Sequence, residues 1–179
     1  MFEKILNAIP EFKLIEDPEL REQCVECWVR ATELGEWTVD ELLALPFTLL
    51  IDTKVTLIEH IQGVTLMVDA MAGVMNRLKH DGLTVNHQYA IAGALLHDVG
   101  KVIEYAQVDE KYVKSRIGRY LRHPITGVWL AMEVGLPVKI AHMIGSHAFE
   151  GDRTPRTTEA ILIHQADFAW FHSMKREFK

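Results

Sequence analysis

Ionisable side chains set inside stretches patterned for burial constrain this chain more than any other feature of its sequence. His60 lies seven residues before Met67, in a segment where Val64, Met67, Met71 and Met75 recur at helical spacing. Two helical turns place its imidazole on the same apolar face. His97 and Asp98 close an apolar run that begins at Ala90, and Asp167 stands in AILIHQADFAWF (160–171), which holds no Lys or Arg. An inward carboxylate costs several kcal/mol unless a cation or a metal ion pairs with it. A chain that buries these groups must bring partners to them, and one cation could answer all four.

The patterns around them are helical. Asp17-Pro18 supplies an N-cap and a first-turn proline for a helix running to Gly35, and Thr38 with Glu41 forms a capping box for a short helix ending before Pro46. A longer helix is predicted over 53–79 and another from the Asn86 cap to the His97-Asp98 pair, with Gly100 as its stop. Residues 101–122 are polar and locally basic and read as a loop or broken helix; helices follow over 123–134, 137–145 and 158–175. No segment carries a convincing period-two signal. The expected fold is all-α, one domain spanning 1–179. Its 179 residues, 49% hydrophobic and 25% charged, suit one soluble core. A net charge of −6 disfavours a nucleic-acid polymer as partner. The sequence has neither the roughly 20-residue apolar run of a membrane span nor a signal-peptide pattern at Met1-Phe2-Glu3-Lys4, so a cytoplasmic protein with no membrane partner is expected. Cys24 and Cys27 read as buried thiols one helical turn apart.

Once His60, His97-Asp98 and Asp167 are taken in order, the chain resembles the HD-domain superfamily of metal-dependent phosphohydrolases over about residues 55–175. LLHDVGK (95–101) is close to that family's LLHDIGK box, and Ala166-Asp167 resembles the Ala-Asp of its last helix. The resemblance implies a helical bundle in which His60, His97, Asp98 and Asp167 hold a metal; residues 1–50 lie outside it and are expected to form an N-terminal helical extension. By similarity to the two-metal members, His123 and His147 would hold a second ion with Asp98 bridging. Mixed imidazole and carboxylate ligands suit Mn, Fe, Co or Ni, and a hydroxide held by such ions is a nucleophile at neutral pH. HD-GYP phosphodiesterases carry a second His and a Gly-Tyr-Pro stretch, where this chain has Ala148 and Gly151-Asp152-Arg153.

The expected activity is hydrolysis of a small phosphate ester, a nucleotide or cyclic nucleotide, with Asp98 and Lys101 catalytic. Lys101, Arg119, Arg122 and His164 are the candidate substrate contacts. Each has a plainer reading: a cation at a helix end, a solvated basic loop, a satisfied core histidine. His142 is five residues before His147, about 140° around an unbroken helix, so the two cannot face one metal; His147 is preferred by spacing. His80, His87 and His172 receive no role. Two other functions fit the same residues: a diiron oxygenase similar to myo-inositol oxygenase, and a non-catalytic sensor module. Trp28 and Trp37 in the first 50 residues either cover the bundle or form a dimer surface, which leaves a homodimer open.

Overall fold

The structure, a computed structural model, describes residues 1–175; the last four residues of the expected domain lie outside the described residues. It is helical almost throughout. α1 (Phe2–Ala8) and a 3-10 turn (Pro10–Leu14) lead into α2 (Pro18–Leu34) and α3 (Val39–Ala44). α4 (Leu57–Leu78), α5 (His87–Leu96) and the single turn α6 (Lys101–Glu104) follow. A hairpin of β1 (Tyr105–Val108) and β2 (Lys111–Lys114) then precedes α7 (His123–Glu133), α8 (Val138–Ser146) and α9 (Thr158–Lys175).

Local chemistry sets most helix starts. Asp17 accepts hydrogen bonds from the Glu19 and Leu20 amides, and Thr38 and Glu41 cap each other reciprocally. The fourth helix begins at Leu57 rather than at 53, because Thr56 and Glu59 form a second capping box. The segment before it is held to residues 45–47 by an isolated bridge, with the Leu57 amide 2.7 Å from the Leu45 carbonyl.

α5 decides where the site sits. Residues 90 to 96 are all buried, so this helix is apolar on every side and runs through the middle of the bundle. α4 and α9 pack on one side of it, α2 and α8 on others. Val64, Val68 and Ala72 of α4 meet Ala90 and Ala94 of α5 and Ala160, Ile163 and Ala166 of α9, with the methionine stripe of α4 along the edge of this cluster. The larger core joins the N-terminal helices to α5, α7 and α8. Trp28 donates its indole N–H to the Leu95 carbonyl at 3.0 Å and Trp37 to the Val102 carbonyl at 2.8 Å. Both rings are therefore buried against the bundle.

Two further expectations are corrected. Residues 105–114, read as loop or broken helix, form an antiparallel hairpin with Val108 opposite Lys111 across a two-residue turn, where Asp109 takes the left-handed backbone (φ 56°). Four-residue strands are too short for a clear alternation signal. Gly100 does not act as a left-handed helix stop; its backbone is right-handed helical (φ −63°). It is small because a Cβ there would press on the His123 carbonyl and the Thr126 hydroxyl. Glycine at 100 lets α7 approach the turn that carries Asp98.

Candidate metal centre

His60 faces inward from α4, and His97 and Asp98 stand at the end of the central helix. His123 opens α7, His147 follows the last turn of α8, and Asp167 comes from α9. Among these, His60, His97 and His147 are fully buried and Asp98 is 1% exposed. One ligand atom from each of His60, His97, Asp98 and Asp167 falls within 4.8 Å of the others, and the same holds for Asp98, His123 and His147. Asp98 belongs to both groups.

His60 Nε2 is 3.1 Å from His97 Nε2, 3.2 Å from Asp98 Oδ2 and 3.3 Å from Asp167 Oδ1. On the other carboxylate oxygen, His123 Nε2 lies 3.1 Å and His147 Nε2 3.6 Å from Asp98 Oδ1. Ligand atoms about 2.0–2.2 Å from a common ion sit roughly 3–3.4 Å from one another, so all of these separations except the 3.6 Å from His147 are those of a coordination shell.

Second contacts fix which nitrogen is bare. His97 Nδ1 donates to the Ala94 carbonyl and His147 Nδ1 to the Ile144 carbonyl, each at 2.7 Å, and His123 Nδ1 donates to Glu104 Oε2 at 2.9 Å. With the proton on Nδ1, Nε2 carries a lone pair toward Asp98. His147 Nε2 and Asp98 Oδ1 are buried without a hydrogen-bond partner. Buried orphan atoms of this kind are rare, and a cation would satisfy both. The donor set fits a divalent transition metal.

Electrostatics point the same way. Burial lowers the pKa of His97 to about 3 and also lowers that of His123, keeping both neutral. Burial raises Asp98, but Lys101, His97 and His123 outweigh it and hold the carboxyl well below the usual range. Burial also opposes the proton on His60, yet the Asp167 and Asp98 carboxylates win and raise its pKa. Burial likewise raises Asp167, and the facing His60 and His97 lower it further than that.

Lys101 is buried beside the cluster, its ammonium donating to Asp98 Oδ2 at 2.5 Å and to the Phe47 carbonyl at 2.6 Å. Asp98, Lys101, His123 and Asp167 line a cavity of about 450 Å³ together with Arg122 and Lys114. Its walls are aromatic, with Phe47, Phe149, Phe168 and Phe171 among them. Arg119 is exposed and outside the cavity lining. His164 is outside the cavity lining; its Nδ1–H donates to the His147 carbonyl at 2.6 Å, tying α9 to the segment that holds His147. His142 stays apart from the cluster, as its angle on α8 required.

Sequence reasoning missed Glu104, which falls within the polar, locally basic stretch 101–122. Burial raises its pKa, but hydrogen bonds from His123 bring it down to about 2. Its place three residues after Lys101, at the end of a one-turn helix, was the available signal.

The HD domain family model matches residues 57–168. The chain belongs to the HD domain family. It is 33% identical over 116 residues to the dihydroneopterin 2',3'-cyclic phosphate phosphodiesterase of Methanocaldococcus jannaschii, covering 63% of this chain and 45% of that protein. It is 34% identical over 85 residues to ribonuclease Y of Desulforudis audaxviator, covering 48% of this chain and 14% of that protein. The chain thus spans less than half the length of either relative. No solved structure matches it. Among the described residues, no helix is long and apolar enough to cross a membrane.

Proposed function

We propose that this HD domain protein is a metal-dependent phosphohydrolase acting on a small phosphate ester, and that the ester is a cyclic phosphodiester carrying a flat ring. One observation carries the reading: Asp98, shared by two convergent ligand groups, lies at a cavity that also presents Lys101, Lys114 and Arg122. The relative from M. jannaschii, named for a cyclic phosphate, supports the bond type. The aromatic walls and a volume of about 450 Å³ suit a ligand of nucleotide size.

His60, His97, Asp98 and Asp167 would hold one ion and Asp98, His123 and His147 the other, drawn from Mn, Fe, Co and Ni. Such ions supply an activated water and positive charge for phosphoryl oxygens. The chain's own residues do the rest. The Ala94, Ile144 and Glu104 acceptors orient three imidazoles before any ligand arrives. Lys101 uses two of its three ammonium hydrogens on Asp98 and Phe47 and has one to turn to a substrate oxygen. Arg122 brings a second cation to the rim, its Nε 3.4 Å from Glu150 Oε1. Phe149 and Phe168, with ring centroids 5.4 Å apart, offer the apolar side on which a ring can rest. We further place the chain as one domain, with residues 1–50 wrapping the core, working in the cytoplasm, where its two free thiols stay reduced.

The test is hydrolysis of 2',3'-cyclic nucleotides by protein loaded with Mn²⁺, Co²⁺ or Ni²⁺, beside the Asp98→Asn variant. The variant should lose more than the roughly 100-fold expected for a residue that only supports a ligand. Ion-loaded wild type that cleaves neither cyclic phosphodiesters nor phosphate monoesters would overturn the reading.

A further inference from the structure

Glu104 is 4% exposed and ends the turn that starts at Lys101. Its Oε2 accepts the backbone N–H of His123 at 2.6 Å and the His123 ring at 2.9 Å. Its Oε1 lies 3.3 Å from the Lys114 ammonium on β2, and its carbonyl accepts the Ser115 amide at 2.8 Å. The carboxylate therefore joins three elements: the turn after Asp98, the hairpin, and the first residue of α7.

The bond pattern settles a tautomer. An ionised carboxylate only accepts hydrogen bonds, and Oε2 already accepts the His123 amide, so the imidazole must donate to it from Nδ1. Nε2 is then the bare nitrogen, 3.1 Å from Asp98 Oδ1. The other imidazoles of the cluster anchored in this way, His97 and His147, use backbone carbonyls one helical turn upstream, which any sequence provides. His123 is the first residue of its helix and has no carbonyl of its own helix upstream to use. A side chain from elsewhere must take that part.

We propose that Glu104 is the positioning residue for His123: it holds the ring in the Nδ1–H tautomer aimed at Asp98, and Lys114 of the hairpin holds Glu104. This rests on the metal-centre reading for its consequence, weaker binding at the Asp98–His123–His147 group, but the tautomer itself does not depend on any ion. The hairpin, whose Tyr105 and Tyr112 pack on the core, also serves as the mount for that carboxylate.

Long-range ¹H–¹⁵N NMR of ion-free protein, with His123 assigned through the His123→Gln variant, reads the tautomer directly. Wild type should show His123 protonated at Nδ1, and Glu104→Ala should move the proton to Nε2. Titration calorimetry with Mn²⁺ should show the weaker of two sites in wild type fall by about 10–100-fold in Glu104→Ala, with the stronger site within about twofold. Lys114→Ala should give a smaller loss at the same site. Should Glu104→Ala fail to fold by circular dichroism, Glu104→Gln keeps the volume, and a mixture of tautomers is expected. Retention of the Nδ1–H form in a folded variant, or an equal loss at both sites, would overturn the proposal. Wild type that binds no Mn²⁺ would instead overturn the metal-centre reading, leaving the NMR result to decide the role of Glu104.

Discussion

Replacing Lys101 by methionine keeps a stem of similar length and removes one buried positive charge. In the ion-free protein that charge rests 2.5 Å from Asp98 Oδ2, with the carboxylate 1% exposed. Breaking a buried pair from one side costs about 3–5 kcal/mol, because the remaining charge is left uncompensated. An independent bound agrees. Taking up one proton at pH 7 costs a carboxyl of ordinary pKa near 4 about 4 kcal/mol, at about 1.4 kcal/mol per pH unit. Loss of the hydrogen bond to the Phe47 carbonyl adds about 1 kcal/mol. The expected destabilisation is therefore about 4–5 kcal/mol at pH 7 in EDTA. Its pH dependence follows from the wild-type site. Burial raises Asp98, Lys101 and the imidazoles outweigh it, and the depressed pKa gives stability present above about pH 4 and lost as pH falls through the carboxyl's titration. Without Lys101 the carboxyl titrates higher, so the gap between variant and wild type narrows as pH falls from 7 towards 4. Urea unfolding in EDTA at pH 5, 6, 7 and 8 measures this. A gap under about 1 kcal/mol at pH 7, or one that is the same at pH 5, would refute the reasoning.

Two further outcomes are expected. Gly100→Ala should destabilise by about 2–3 kcal/mol, since the added Cβ meets the His123 carbonyl and the Thr126 hydroxyl and α7 must shift; thermal unfolding beside Gly73→Ala, where nothing crowds the site, separates crowding from glycine chemistry. Burial raises the pKa of the Cys24 and Cys27 thiols, so the unfolded chain releases protons first and stability should fall by about 1.4 kcal/mol per pH unit for each thiol above pH 9. Comparing Cys24→Ala/Cys27→Ala with wild type by urea unfolding at pH 8 to 10 checks the slope.

The residues that were legible in the sequence share one property: their signal is local or periodic. Asp17, Thr38 and Asn86 cap their own helices, so their roles are written within four residues of where they act. His60, His97, Asp98 and Asp167 were conspicuous because burial of such groups is costly wherever the helix packs. The start of α4 was misplaced although its signal is local too: Thr56 and Glu59 form a capping box, and the Leu57 amide bonded to the Leu45 carbonyl adds a tertiary tie at the same point. Lys101 could be seen next to the HD pair, but its bond to the Phe47 carbonyl crosses 54 positions of chain.

By itself the sequence determined that the chain is helical, where most helices begin, and which acids and imidazoles have to face inward, because hydrogen-bond caps and apolar periodicity act over one or two turns. Tertiary structure decided that Asp98 presents one oxygen to each of two groups, that Gly100 is small for the sake of α7, and that Glu104 reaches His123 across 19 positions. Those outcomes depend on how closely separate helices approach, and an approach distance is set by packing of the whole core, which no short stretch of residues encodes.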